Sequence, residues 1–85
     1  MGDFFVSITI FALAFMKTYY LLKIKGKAKI PDYVQMRDDQ FTLLAYFRLD
    51  RPEKSLDRIG MAANEHAIVT ILEKMQFGKM QKVEL

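Results

Sequence analysis

The sequence predicts an all-α protein, in which a single transmembrane helix precedes two amphipathic helices outside the membrane. The stretch from Phe4 to Ile24 contains only two charged residues, Lys17 and Lys23, in twenty-one positions. A helix of that length measures about 30 Å, close to the thickness of the hydrocarbon core of a bilayer. Segments with helical periodicity follow a lysine-rich junction. We therefore expect a transmembrane anchor over residues 1–25, a basic juxtamembrane linker over 26–31 and a small helical extramembrane region over 32–85.

The distribution of charge predicts how the anchor is oriented. Residues 1–30 contain five lysines and one aspartate, whereas residues 31–85 contain eight basic and nine acidic residues. Basic residues favour the cytoplasmic side, so the N-terminus should lie outside and the C-terminus in the cytoplasm. Lysine stems and tyrosine rings are favoured at the polar boundary of a bilayer. The candidate lipid-boundary residues are Lys17, Tyr19, Tyr20, Lys23, Lys25, Lys27 and Lys29.

The same basic cluster indicates which partners to expect. Lysines gathered at one end of an apolar segment are typical of contact with anionic lipid headgroups. A nucleic-acid-binding domain would spread its basic residues over a folded face, so we expect no nucleic acid.

The second predicted helix spans residues 32–50. Pro31 and Asp32 suit the start of a helix. Helical spacing then places five apolar side chains on one face, as expected of a helix that lies on a membrane or a partner. These side chains are Tyr33, Met36, Leu43, Leu44 and Phe47.

The third predicted helix spans residues 53–77. Asp50 and Pro52 suit its N-terminus, and Gly78 suits its end. Gly60 weakens the helix and marks a kink or a close contact. The residues after Gly78 are expected to form a frayed tail. The apolar stripe of this helix consists of Leu56, Ile59, Ala63, Ala67, Ile71 and Met75.

The alternative hypothesis is a small soluble α+β domain that acts as a dimer. Strands over 4–15, 17–25 and 41–49 would pack against a helix over 53–77. Residues 41–49 alternate as a half-buried strand should, with Phe41, Leu43, Ala45, Phe47 and Leu49 on one side. No Gly, Pro, Asn or Asp stands between Asp3 and Gly26 to form a turn, which favours a continuous helix.

Chemical motifs are sparse in this chain. There is no cysteine, so thiolate metal sites and disulfides are excluded. The single histidine, His66, is a candidate cofactor ligand, but it lacks the second ligand of an HExxH or ExxH motif. We therefore expect no enzymatic activity, no metal and no bound cofactor.

These observations predict a non-catalytic, single-pass accessory subunit of a larger membrane protein complex, of the kind found in bioenergetic complexes. Its anchor and amphipathic segments would stabilise assembly with the other subunits. The candidate partner-binding residues are Tyr33, Met36, Phe41, Phe47, Leu56, Ile59 and Ile71. The alternative function is that of an α+β binding or regulatory domain.

Overall fold

A computed structural model describes residues 16–85 as a four-stranded antiparallel sheet that packs against two helices. The sheet order is β3-β2-β1-β4. The strands are β1 (Thr18–Ile24), β2 (Tyr33–Asp38), β3 (Leu43–Arg48) and β4 (Gln81–Glu84). The helices are α1 (Glu53–Arg58) and α2 (Glu65–Lys74), with a short 3₁₀ turn (Ala62–Asn64) before α2.

The prediction of a transmembrane helix over Phe4–Ile24 is wrong. Residues Thr18–Ile24 form β1, which pairs with β2 on one side and β4 on the other. Over the described residues 16–85, no helix has the length and apolar content needed to cross a membrane. The single-pass localisation, with the N-terminus outside, is overturned with the helix. Residues 1–15 of the predicted anchor, and with them the strand that the alternative hypothesis places over 4–15, lie outside the described residues.

The all-α prediction also fails for residues 32–50. This segment forms the hairpin of β2 and β3, in which Val34 lies opposite Phe47 and Met36 lies opposite Ala45. Val34, Met36 and Phe47 are buried, which is the alternation that a sheet with one covered face imposes. The architecture is therefore α+β, as the alternative hypothesis proposes.

The predicted helix over 53–77 is interrupted where Gly60 stands. Gly60 adopts a left-handed φ of 77°. Its N–H donates to the Asp57 carbonyl at 3.0 Å, and the N–H of Met61 donates to the Leu56 carbonyl at 2.8 Å. These two bonds form a Schellman motif, which ends α1. The break shifts the buried stripe of α2 to Ile68 and Leu72 and leaves Ala63 and Ala67 exposed.

The core lies between the helices and one face of the sheet, which we call the inner face. Strand β4, in the segment predicted to be a frayed tail, contributes Val83 to this core. The buried core residues are Leu21, Val34, Met36, Phe47, Leu56, Met61, Ile68, Leu72, Met75 and Val83.

Candidate functional site: the outer face of the sheet

The opposite face of the sheet, the outer face, is not covered by either helix of the described chain. Leu21, Val34 and Phe47 point into the core, so alternate residues of the same strands point away from it. The register places these side chains next to one another across β1, β2 and β3. A register shift between Met36 and Arg37 interrupts the alternation in β3 and pairs Leu43 with Arg37. The apolar and aromatic members of the outer face are Tyr20, Leu22, Ile24, Tyr33, Leu43 and Tyr46.

Two stacked aromatic pairs occupy this face. Tyr33 and Tyr46 stack with ring centroids 5.0 Å apart, and Tyr20 stacks on Phe41 from the β2–β3 loop at 4.6 Å. Tyr46 is 52% exposed and Phe41 is 50% exposed. A cluster of exposed rings on one side of a small domain is typical of an association surface.

The β2–β3 loop holds Phe41 over the sheet by a defined set of hydrogen bonds. The Asp38 carboxylate accepts from the N–H groups of Gln40 and Thr42, both at 2.9 Å. The N–H of Phe41 donates to the Asp38 carbonyl at 3.1 Å, and Phe41 has a left-handed φ of 66°. A bulky side chain at such a position is uncommon, because the left-handed region favours Gly or Asn.

Arg37 is a cation of the outer face that lacks an acidic partner in residues 16–85. Its guanidinium donates to the Phe41 carbonyl at 2.9 Å and to the Gln35 side-chain oxygen at 3.3 Å. The ion pairs found in this part of the chain join other residues, Lys25 with Asp32 and Arg48 with Asp50. Its neighbours across the sheet are Tyr20 and Leu43, and an arginine beside a tyrosine resembles the composition of protein–protein hot spots.

Arg48, also on the outer face, is neutralised locally. Its guanidinium donates two hydrogen bonds to the Asp50 carboxylate, at 3.0 and 2.9 Å. These bonds lower the pKa of the Asp50 carboxyl below its ordinary value and raise the pKa of Arg48. Arg37 therefore contributes more of the face's free positive charge than Arg48.

The structure separates the residues that the sequence grouped at a lipid boundary. Lys17 is exposed just before β1, Tyr19 packs against the core, and Tyr20 lies on the outer face. Lys23 is buried, whereas the remaining three lysines are exposed around the β1–β2 connection. Those three are Lys25, Lys27 and Lys29.

The buried Lys23 serves the fold. Its ammonium donates to the carbonyls of Leu72 at 2.7 Å and Met75 at 3.1 Å, at the C-terminal end of α2. A cation at this position satisfies carbonyls that have no partner within the helix and complements the helix dipole. Lys23 thus joins β1 to α2 without an acidic side chain.

The candidate partner-binding residues also divide by location. Tyr33 and Phe41 lie on the outer face, where a partner could reach them. Met36, Phe47 and Leu56 are buried in the core of the chain itself, and Ile59 and Ile71 are half-buried against it. Sequence reasoning missed Arg37 and Tyr46 as surface candidates. The signal for Tyr46 was present in the strand-like alternation of residues 41–49, because the side chains of Tyr46 and Phe47 must then point to different faces of the sheet.

His66 lies on an exposed part of α2. Its carbonyl accepts a hydrogen bond from the Thr70 hydroxyl at 2.9 Å, an interaction internal to the helix. Across residues 16–85 no three His, Asp or Glu side chains converge as metal ligands would.

Comparisons of the chain with protein-family models, curated proteins and solved structures found no significant match.

Proposed function

We propose that this chain is a non-catalytic binding or regulatory domain that acts as a dimer, and that the outer face is the interface between the two copies. The observation that supports this proposal is the cluster of two stacked aromatic pairs on a sheet face without a covering helix in the described chain. A chain of 85 residues has a small core, and association is a common way for such a chain to gain stability.

The dimensions of the outer face suit a weak dimer. Four strands at about 4.8 Å spacing, with about six residues at 3.3 Å each, give roughly 400 Å² of flat area. Standard interfaces bury about 800 Å² of accessible surface per partner, and rough side chains raise the buried area above the flat value. We therefore expect a dimer that dissociates on dilution.

The position of Arg37 is compatible with a second copy. In a face-to-face dimer the two-fold axis lies in the interface, either along the strands or across them. An axis along the strands, between β1 and β2, places Arg37 over the partner's Tyr20, its neighbour in the register. An axis across the strands places Arg37 over the partner's Tyr33 at the other end of β2. A tyrosine ring faces the guanidinium in both cases, which permits a cation–π contact.

The proposed function includes no catalysis. The exposed location of His66, and the pairing of Asp50 with Arg48 and Asp32 with Lys25, fit structural roles for these groups. Catalysis requires acid, base or nucleophilic groups that converge in a sheltered pocket.

The test is the self-association of the full chain, measured by sedimentation equilibrium over a range of concentrations. We expect wild type to shift from monomer to dimer, and Tyr46→Glu to weaken the dimer at least tenfold, because it places two carboxylates in an apolar interface. Gln76→Glu is the matched control, since it adds one carboxylate at an exposed position beyond α2. Residues 1–15 are identical in all three proteins, so they do not account for a difference in dimerisation between them.

Circular dichroism would verify that each variant is folded. A wild type that stays monomeric at high concentration would refute the proposal, as would equal dimerisation of Tyr46→Glu and wild type.

A further inference from the structure

The β1–β2 connection combines positive charge with an exposed aliphatic side chain. We call residues 25–30 the basic turn. It contains three exposed lysines, of which Lys25 lies 3.6 Å from the Asp32 carboxylate, whereas no ion pair of the described residues includes Lys27 or Lys29. Ile30, at its end, is 63% exposed, more than any other large hydrophobic side chain of the described residues. An exposed isoleucine therefore lies directly beside a cluster of lysines.

The backbone of the basic turn is fixed by short-range contacts. The N–H of Ile30 donates to the Lys27 carbonyl at 3.0 Å, and the N–H of Gly26 donates to the Asp32 carboxylate at 2.8 Å. A Cβ atom at Gly26 would overlap the carbonyl oxygens of Ile30 and Pro31, so this close approach requires glycine. Ala28 takes a left-handed φ of 55°. The lysines are therefore presented by a pre-organised turn, which lowers the entropic cost of binding.

A second apolar side chain lies beside the basic turn. The ammonium of Lys25 is 4.9 Å from the centroid of the Phe77 ring, and the ring is 38% exposed. Phe77 is held in place because the next residue, Gly78, donates its N–H to the Lys23 carbonyl at 2.8 Å. Basic and apolar groups are thus interleaved at this end of the sheet.

We propose that the basic turn binds the surface of an anionic lipid bilayer. Lys27 and Lys29 contact the headgroups, and Ile30 enters the boundary between headgroups and acyl chains. Lysines near an anionic membrane and shallow insertion of an apolar side chain act together in peripheral binding. A nucleic acid would use the charges but would leave Ile30 in water, so the lipid surface explains more of what the turn presents. This binding does not depend on the proposed dimer.

The experiment measures the partitioning of the full chain onto phosphatidylcholine vesicles with and without 30% phosphatidylserine. Residues 1–15 are present in every variant, so the quantity compared is the increase in partitioning that phosphatidylserine causes. Each lysine near an anionic surface contributes about 1 kcal/mol, or roughly fivefold. We expect Lys27→Ala/Lys29→Ala to reduce this increase about 25-fold. The matched control, Lys54→Ala/Lys74→Ala, removes two exposed lysines from the helices and should change it less than threefold.

Ile30→Ser keeps the charge and tests the apolar contribution. It should reduce partitioning onto the anionic vesicles several-fold while circular dichroism remains unchanged. Equal losses in the two lysine double variants would overturn the proposal, because they would indicate attraction by net charge alone. An Ile30→Ser variant that partitions like wild type would also overturn it, as would tighter binding of wild type to a single-stranded oligonucleotide than to the vesicles. Repeating the vesicle measurement with Tyr46→Glu, which is expected to weaken the dimer, separates lipid binding from dimerisation.

Discussion

A lysine that packs inside this small domain is stabilised by backbone carbonyls. Lys23 is 6% exposed, and its ammonium donates to two carbonyls at the end of α2, those of Leu72 and Met75. Its stem lies in β1 beside the buried Leu21 on the inner face, so one side chain contributes both to the sheet and to the helix terminus. The last turn of α2 therefore depends on a residue about fifty positions earlier in the chain.

Replacing Lys23 tests this role. We expect Lys23→Met to lower the free energy of unfolding by about 2 kcal/mol, because the aliphatic stem is kept while charge-assisted hydrogen bonds to two carbonyls are lost. Urea denaturation followed by circular dichroism measures the change. Lys54→Met, at an exposed position of α1, is the control and should alter stability by less than about 0.5 kcal/mol. A Lys23→Met protein as stable as wild type would show that the carbonyls do not need the ammonium.

At the scale of elements, the β2–β3 loop contains backbone strain beside the proposed interface. Phe41 has a φ of 66° and stacks on Tyr20 while half of its surface remains exposed. Left-handed backbone costs a non-glycine residue about 1 kcal/mol or more, and such strain is often found at functional sites. An exposed ring on a strained backbone thus lies where the dimer proposal needs a contact.

Substitution by glycine separates the effect of Phe41 on monomer stability from its effect on dimerisation. Phe41→Gly removes the strain and also the ring, so we expect monomer stability to change by less than about 1 kcal/mol in either direction. Dimerisation should weaken at least fivefold, because the outer face loses one stacked pair. Thermal unfolding at low concentration measures the first quantity, and sedimentation equilibrium measures the second. Marked destabilisation of the monomer with unchanged dimerisation would assign the ring to the fold instead.

The elements differ in how far the sequence predicts them. Residues 41–49 alternate clearly, and the alternative hypothesis places a strand there because Phe47 and Ala45 repeat with a period of two. Strand β1 is apolar on both faces, with Leu21 directed inward and Leu22 outward, so it lacks that period and resembles part of a longer apolar helix. Strand β4 has one buried residue, Val83, which is too little pattern to detect.

The candidate site was predictable only in part. Tyr33 and Phe41 could be selected as partner-binding candidates, but the helical interpretation placed Tyr33 on the same face as Met36 and Phe47. In the sheet Tyr33 lies on the outer face, whereas Met36 and Phe47 lie in the core, because an error of period redistributes side chains between surface and core. The break at Gly60 had a comparable effect on α2, where it shifted the buried positions to Ile68 and Leu72.

At the scale of the whole molecule, the last strand, β4, pairs with the first strand, β1, and forms one edge of the sheet. Strand β4 pairs with β1 from Thr18 opposite Glu84 to Leu21 opposite Gln81. Lys17 and Leu85 exchange backbone hydrogen bonds of 2.8 and 2.9 Å, and the Thr18 hydroxyl donates to the Glu84 carboxylate at 3.0 Å. The C-terminal residues thus complete the core, although the sequence suggests a tail that contributes little.

Removing the core contact of β4 distinguishes these two descriptions. Val83 is 6% exposed and lies opposite Tyr19, so Val83→Ala should lower the free energy of unfolding by about 2 kcal/mol through lost burial and a residual cavity. Lys82→Ala changes the adjacent residue, which is exposed on the outer face, and should cost less than about 0.5 kcal/mol. A small domain has a total stability near 5 kcal/mol, so the Val83 variant should also melt at a clearly lower temperature. Urea denaturation of both variants at low concentration measures the difference. Equal stabilities would mean that residues 81–84 do not form part of the cooperative fold, whereas a large loss at Val83 alone requires that β4 hold the sheet and the helices together as one unit.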